Sequence, residues 1–481
     1  MRFVVIGGGP AGVRAASTAA RLGAHVTLVE RDVIGGGANL WDCVPSKAMI
    51  ATGGLVSRVE RAARLGLAPL SPSVDLEALA HRVRDIEHRL SSSMTQQLES
   101  QGVRILRGTG RLNGPHEVEV ELLPGMEAEE AESPAAFGPP LAGVPVAGQR
   151  DNAGRVLELD ADAVLFATGS MPRIPAWADV DGETVLSTRH AYPPPVIPEH
   201  LVVVGSGVTG VEFVHMFRSL GSEVSLIVSR QQVLPQKDPE VAAALEADFL
   251  ERGVALLKGA RATGIEKRDK SVAVLCDDCR VVEGSHVLLC IGSVPASGGL
   301  GLERAGVEAS SQGHVPVNHH CQTNVPHIYA AGDLSGRLQL ASVAAVQGHK
   351  VAEHVMGLHT REHRHLDYDK AASAIFTEPE IADVGLAEAE AFALGRKIRV
   401  TKVPYAASSR ALIDGDARGF VKLVSDPATG VVLGGSIVGA HAAELVSVIA
   451  LAVTANLRVI DLAESLFVHP SLSEALAEAA E

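Results

Sequence analysis

Two glycine patterns and one segment around a single thiol carry the chemistry legible in this chain. Gly7-Gly8-Gly9-Pro10-Ala11-Gly12 and Gly205-Ser206-Gly207-Val208-Thr209-Gly210 both read G-x-G-x-x-G. Each follows a short apolar run, Phe3 to Ile6 and Leu201 to Val204, and each precedes a segment of helical pattern. In such a turn the first glycine permits the tight strand-to-helix reversal. The second lets a pyrophosphate approach the backbone, and the third lets helix and strand pack closely while the helix N-terminus faces the anion. One match alone is weak evidence. Two in the right context predict two dinucleotide sites, the first built on Gly7, Gly9, Pro10, Ala11 and Gly12 and the second on Gly205, Gly207, Val208, Thr209 and Gly210.

The strands that follow end differently. His25 to Val29 runs into Glu30, a carboxylate able to hold a ribose diol through two hydrogen bonds. Glu223 to Ile227 runs into Val228-Ser229-Arg230, with Val228 at the spacing of Glu30. No carboxylate remains there to bind a 2′-hydroxyl or repel a 2′-phosphate. Arg230 either pairs with that phosphate or is a solvated loop charge. The reading favours NADPH over NADH at the second site.

These elements need a scaffold, and composition bounds it. The chain has 481 residues, enough for about three domains at ~150 residues each. Hydrophobic residues make up 46%, and the formal net charge is −15, which gives nucleic acid no electrostatic support. The N-terminus enters a strand directly, without a secretory pattern. The most apolar late stretch, Leu445 to Leu457, is too short to span a bilayer. The expectation is a soluble, cytoplasmic protein.

Five cysteines make no disulfide framework in a chain of this size. Cys276-Asp277-Asp278-Cys279 lies between two extended-looking runs and reads as a hairpin turn. No second C-x-x-C or nearby His-x-x-His completes a zinc site, so no metal is expected. Cys290 sits in an apolar strand and reads as core.

The pattern along the chain predicts a first nucleotide-binding segment over 1–165, with an acidic, Pro-rich insert near 124–152. A second nucleotide domain spans 166–292. Val164-Leu165-Phe166-Ala167-Thr168-Gly169 reads as a buried strand ending in a turn, and Val287 to Ile291 followed by Gly292 repeats that shape. Residues 293–360 return to the first domain through the strand Ile328-Tyr329-Ala330-Ala331-Gly332-Asp333, which ends in an acidic residue at a carboxyl edge where ligands bind in such sheets. Residues 361–481 combine alternating β runs with amphipathic helices. The fold class is α/β: two Rossmann-type dinucleotide-binding domains plus an α+β C-terminal dimerisation domain.

Together with Cys43-Val44-Pro45-Ser46-Lys47 and His469-Pro470-Ser471-Leu472-Ser473-Glu474, these motifs resemble the pyridine nucleotide–disulfide oxidoreductases, flavoproteins that include dihydrolipoamide dehydrogenase and glutathione reductase. The likeness covers nearly the whole length apart from the insert. It implies FAD at the first fingerprint, with Glu30 on the adenosine ribose and Asp333 on the ribityl chain. Arg31, Gly110, Ala167, Thr168, Gly169, Gly332, Leu340, Ala341 and Ser342 are then expected to line the flavin nucleotide. It implies NADPH or NADH at the second fingerprint, with Ser229, Arg230 and Gly292 beside it. It also implies Lys47 near flavin N5, paired with Glu212, and a homodimer in which a His469–Glu474 dyad reaches in from the partner subunit.

One departure decides the chemistry. Where dithiol members carry the first cysteine, this chain has Ala38; the flavin-proximal thiol is Cys43. A lone thiol cannot cycle as an internal disulfide, so dithiol exchange is closed. The segment is most similar to the quinone reductase subset that lacks the first thiol. The expected activity is therefore an FAD-dependent NAD(P)H dehydrogenase that passes electrons to a small-molecule acceptor such as a quinone. The alternatives are soluble pyridine nucleotide transhydrogenation, a peroxidatic Cys43, and a non-catalytic nucleotide-sensing flavoprotein. Trp41 either packs or stacks on a flat acceptor. The His469–Glu474 dyad either protonates a reduced acceptor or is inherited scaffold.

Overall fold

The computed structural model describes residues 1–123, 154–358 and 366–481. The acidic insert expected near 124–152 lies outside the described residues. The chain divides into two compact units. One comprises Met1–Ser46, Ala80–Met171 and Ser293–Leu366; the other comprises Lys47–Leu79, Pro172–Gly292 and Asp367–Glu481.

The first unit is built on a seven-stranded sheet in the order Ile328–Ala330, Ala163–Phe166, Arg2–Ile6, His25–Glu30, Arg104–Gly114, Glu117–Leu122, Val156–Asp160. The first five strands are parallel and the last two add antiparallel ladders. Both faces of the parallel portion are covered, as the continuous apolar runs require. Phe3, Val5, Leu28 and Leu165 belong to one buried cluster, whereas Val4, Ile6, Val29 and Phe166 belong to another. Alternation along each strand sends neighbours to opposite faces. The helix Pro10–Arg21 packs against the helix Ala341–Val355 at a glycine: a Cβ on Gly348 would run into the Ala11 carbonyl.

The second unit holds a five-stranded parallel sheet in the order Ala255–Lys258, Glu223–Val228, His200–Val204, His286–Leu289, Val185–Ser187. A three-stranded antiparallel sheet, Ala262–Lys267, Val272–Cys276 and Val281–Gly284, contains the C-x-x-C as its hairpin turn. There Cys279 N–H donates to the Cys276 carbonyl at 3.2 Å. A second five-stranded antiparallel sheet is formed by Ser373–Ile375, Ile381–Gly385, Val432–Val438, Phe420–Ser425 and Arg399–Pro404. The helix Ala442–Ala455 buries Val446 and Ile449 in the cluster that holds Val421, Leu423 and Ile437 from that sheet. Cys290 is buried, and burial pushes its thiol far above the ordinary range. Among the described residues no helix is long and apolar enough to cross a membrane.

Candidate functional site

The two fingerprints share one geometry. Gly7 and Gly205 have φ of +105° and +109°, values that strain any residue with a Cβ. A Cβ on Gly7 would strike the Ala167 carbonyl, and a Cβ on Gly205 the Cys290 carbonyl. A Cβ on Gly12 or Gly210 would collide with the carbonyl of Gly7 or Gly205 respectively, so the third glycine sets the helix-to-strand distance in both units. The middle glycines cap twelve-residue helices with near-identical backbone angles, φ −73° and ψ −174° at Gly9, φ −74° and ψ −175° at Gly207. Above Gly207 a Cβ would meet nothing within 4 Å, and above Gly9 only the Ala167 carbonyl at 4.0 Å. That open space over a helix N-terminus, where first-turn amides lack intrahelical partners, fits a pyrophosphate at each site. Pro10 and Ala11 form the first turn of one helix, Val208 and Thr209 that of the other.

Glu30 is buried at the carboxyl end of its strand. Its Oε2 accepts from Gly8 N–H at 2.5 Å and its Oε1 from Asp32 N–H at 2.7 Å. Burial raises its pKa, opposed by those two amide bonds. Two backbone donors thus fix the carboxylate beside the turn. Arg31 is exposed and pairs with Asp32 at 3.0 Å. Ala167 N–H donates to the Ile6 carbonyl at 2.8 Å, Thr168 Oγ1 to the Ala296 carbonyl at 2.9 Å, and Gly169 has φ +70°. Asp333 Oδ2 accepts from Ser170 Oγ at 2.7 Å, and Gly332 N–H donates to Gln347 Oε1 at 2.7 Å. Leu340 caps the helix on which Ala341 and Ser342 stand exposed in the first turn. Gly110 lies within the hairpin opposite Val120; its Cβ would press on the Ile6 side chain, a packing reason for glycine there.

In the second unit Val228 is fully buried at its strand end, while Ser229 and Arg230 are exposed just beyond it. Gly292 has φ +95° and open space where a Cβ would stand.

The Ala38 to Cys43 segment forms one wide turn, in which Cys43 N–H donates to the Ala38 carbonyl at 3.1 Å. Such i→i+5 turns recur at functional sites. The helix Val44–Glu60 starts directly after it. Trp41 is half-buried.

Lys47, in the first turn of that helix, and Glu212, on the helix Val208–Ser219, form the main ion pair expected from the sequence. Lys47 Nζ lies 2.9 Å from Glu212 Oε2 and 3.2 Å from Oε1. The Lys47 side chain is 32% exposed and that of Glu212 only 8%, so the carboxylate is the anchored partner. Sequence reasoning missed the third member. Phe376 N–H donates to Glu212 Oε1 at 3.0 Å, and the Phe376 ring lies 4.9 Å beneath Lys47 Nζ. The cation is therefore held by a carboxylate and by an aromatic face.

His469 and Glu474 also meet. Glu474 Oε1 is 2.7 Å from His469 Nδ1, and its Oε2 accepts from Ser471 N–H at 2.9 Å. The Ser471 amide, followed by His469, depresses the Glu474 pKa. The imidazole is 74% exposed, and Leu466 and Val468 beside it are exposed too.

Residues 1–348 match the pyridine nucleotide-disulphide oxidoreductase family, and residues 371–480 match its dimerisation domain. Over all of this chain and 93% of the relative, the sequence is 40% identical to an NAD(P)H dehydrogenase (quinone) of Mycobacterium tuberculosis. It is 31% identical, over 99% of this chain and 96% of the relative, to a dihydrolipoyl dehydrogenase of Zymomonas mobilis. Among solved structures it is similar to LpdA from Mycobacterium tuberculosis, with a TM-score of 0.88, 39% identity, and coverage of 100% of this chain and 99% of that one. With two matching fingerprints, Glu30 beside the first and the Lys47–Glu212 pair in place, the chain belongs to the pyridine nucleotide-disulphide oxidoreductases, enzymes that work with FAD and a pyridine nucleotide.

Proposed function

We propose that this protein is an FAD-dependent NAD(P)H dehydrogenase that delivers electrons to a quinone-type acceptor without a redox disulfide. The observation that carries this reading is Ala38, which stands where a dithiol enzyme needs its first thiol and is tied by its carbonyl to Cys43 N–H. The 40%-identical relative named for quinone supports it. Bound FAD supplies the two-electron exchange between nicotinamide and acceptor.

The chain's own residues supply the rest. Segments 1–165 and 293–360 hold FAD, with the Pro10–Arg21 helix terminus and Glu30 fixing its nucleotide half and Asp333 its ribityl chain. Residues 166–292 hold the coenzyme, and Arg230 selects its 2′-phosphate. Lys47, oriented by Glu212 and Phe376, stabilises negative charge on the reduced ring. Residues 361–481 make a homodimer, and the exposed His469, oriented by Glu474 through Nδ1, offers Nε2 as the atom that holds and delivers a proton to the acceptor. The match to a dimerisation domain and the exposed Leu466 and Val468 support that arrangement.

The test is steady-state NADPH oxidation by the FAD-loaded protein with a small naphthoquinone, lipoamide or glutathione disulfide as acceptor. Quinone turnover well above both disulfides is expected. Disulfide reduction at a comparable rate would refute the reading.

A further inference from the structure

The second unit contains a polar cavity of about 270 Å³ in which five guanidiniums meet: Arg61, Arg64, Arg218, Arg252 and Arg418. Three carboxylates, Glu60, Asp248 and Glu251, also line it. Three of the arginines are already paired. Asp248, nearly fully buried, takes Arg418 at 2.5 Å and Arg252 at 3.5 Å. Arg418 also holds Asp416 at 2.6 Å and Glu378 at 3.1 Å, and Glu378 pairs with Arg61 as well.

Arg64 and Arg218 are different. Neither forms an ion pair with a carboxylate among the described residues. The Arg218 guanidinium is aimed by the backbone, Nε to the Arg252 carbonyl at 2.6 Å and a terminal nitrogen to the Ser222 carbonyl at 3.5 Å. Helix ends explain part of this charge: Arg218 sits in the last turn of Val208–Ser219 and Arg252 caps Pro239–Glu251, positions that favour cations. They do not explain Arg64, which arrives from the short turn Ala62–Leu65. The crowding has a cost, since burial and the neighbouring Arg418 depress the Arg61 pKa.

We propose that this cavity binds a small oxyanion carrying two or more negative charges, a di- or tricarboxylate or an inorganic phosphate, between Arg64 and Arg218. Planar guanidinium forks match both oxyanion types. The cavity is too small for a dinucleotide and lies at the far ends of the helices that carry Lys47 and Glu212. It is thus separate from the second fingerprint turn, which opens the helix Val208–Ser219.

The test is isothermal calorimetry and thermal unfolding of the FAD-loaded protein at constant ionic strength, with citrate, pyrophosphate or orthophosphate as probe and chloride as the control. One site per chain is expected, with a Kd below ~1 mM for at least one probe and a raised Tm. Tighter citrate would identify a carboxylate ligand, and tighter pyrophosphate a phosphate ligand. Arg64→Glu, at an exposed position, should weaken binding about tenfold or more with the ligand-free Tm unchanged. Arg218→Gln should weaken it too. Absence of binding by all three probes at ~10 mM, far above that Kd, would overturn the proposal. So would binding unaltered in both variants, which would place the anion at a fingerprint turn instead.

Discussion

Lys47 Nζ sits 2.9 Å from Glu212 Oε2, while the other oxygen of that carboxylate accepts the Phe376 amide at 3.0 Å. One buried carboxylate thus fixes a lysine from one helix against the backbone just past the strand Ser373–Ile375. Glu212→Gln keeps an acceptor for Phe376 N–H but removes the charge that holds Lys47. Flavin reduction by NADPH, followed by stopped flow, should slow about tenfold, the scale of one charge-assisted hydrogen bond. Phe376→Leu removes only the aromatic face and should have a smaller effect, on the order of 0.5–1 kcal/mol. Unchanged flavin reduction in Glu212→Gln would make the pair structural.

Cys43 is the thiol of a segment without a second one. On the proposed reading, Cys43→Ser should retain much of the turnover with quinone, because Ala38 leaves that segment no second thiol. The measurement is turnover with a naphthoquinone beside flavin reduction by NADPH. A variant that accepts hydride yet cannot pass electrons to quinone would assign the transfer to Cys43.

Arg230 tests coenzyme choice. Val228 fills the carboxylate position and Arg230 is exposed beyond it. A phosphate–arginine hydrogen bond contributes roughly 1.5–3 kcal/mol, so Arg230→Ala should lower kcat/KM for NADPH relative to NADH about tenfold or more. Equal losses with both coenzymes would make Arg230 a scaffold charge.

The parts of this molecule readable from sequence are those where local backbone physics leaves little choice. Gly7, Gly12, Gly205 and Gly210 stand where a side chain would strike a carbonyl, so the spacing of the glycines alone announces the turn. The end-of-strand Glu30 is legible for the same reason. Phe376 is not, because its contribution to Glu212 is a backbone amide 164 residues away, which no side-chain pattern records. The arginine cavity is equally hidden: Arg61, Arg218, Arg252 and Arg418 come from four separated segments with no shared period. Gly110 reads as a ligand contact by resemblance, and the structure supplies a packing reason beside Ile6.

His215 predicts an acid limit on stability. It is buried, and its Nδ1 faces an Arg252 nitrogen at 2.9 Å. Burial first, then Arg252, Arg418 and Arg61, hold its pKa well below the ordinary 6.5. The unfolded chain therefore binds a proton near pH 6.5 that the folded chain refuses. Its contribution to stability is complete above that pH and is lost as pH falls below it, by up to about 1.4 kcal/mol per pH unit. Thermal unfolding between pH 7.5 and 5.5 should show a shallower decline in His215→Asn. Equal slopes in both proteins would remove His215 as the cause.

The dyad offers the sharpest separation of the two half-reactions. Glu474 Oε1 lies 2.7 Å from His469 Nδ1, and Ser471 N–H holds the other carboxylate oxygen, so the imidazole is aimed with Nε2 outward. A carboxylate in that place favours the Nδ1–H tautomer. If Nε2 delivers the proton that accompanies acceptor reduction, His469→Ala should slow flavin reoxidation by quinone ~10²–10⁴-fold, the range of a working general acid. Flavin reduction by NADPH should stay nearly unchanged, since it needs no proton from this group. Glu474→Gln should give an intermediate loss, because it keeps a partner for Nδ1 but not the charge. Mixing the His469→Ala chain with a Lys47→Ala chain should restore part of the activity if the site is shared across a dimer, as one heterodimer site would be intact. Reoxidation at the wild-type rate in His469→Ala would mark the dyad as scaffold, and a failure of mixed chains to complement would confine it to its own subunit.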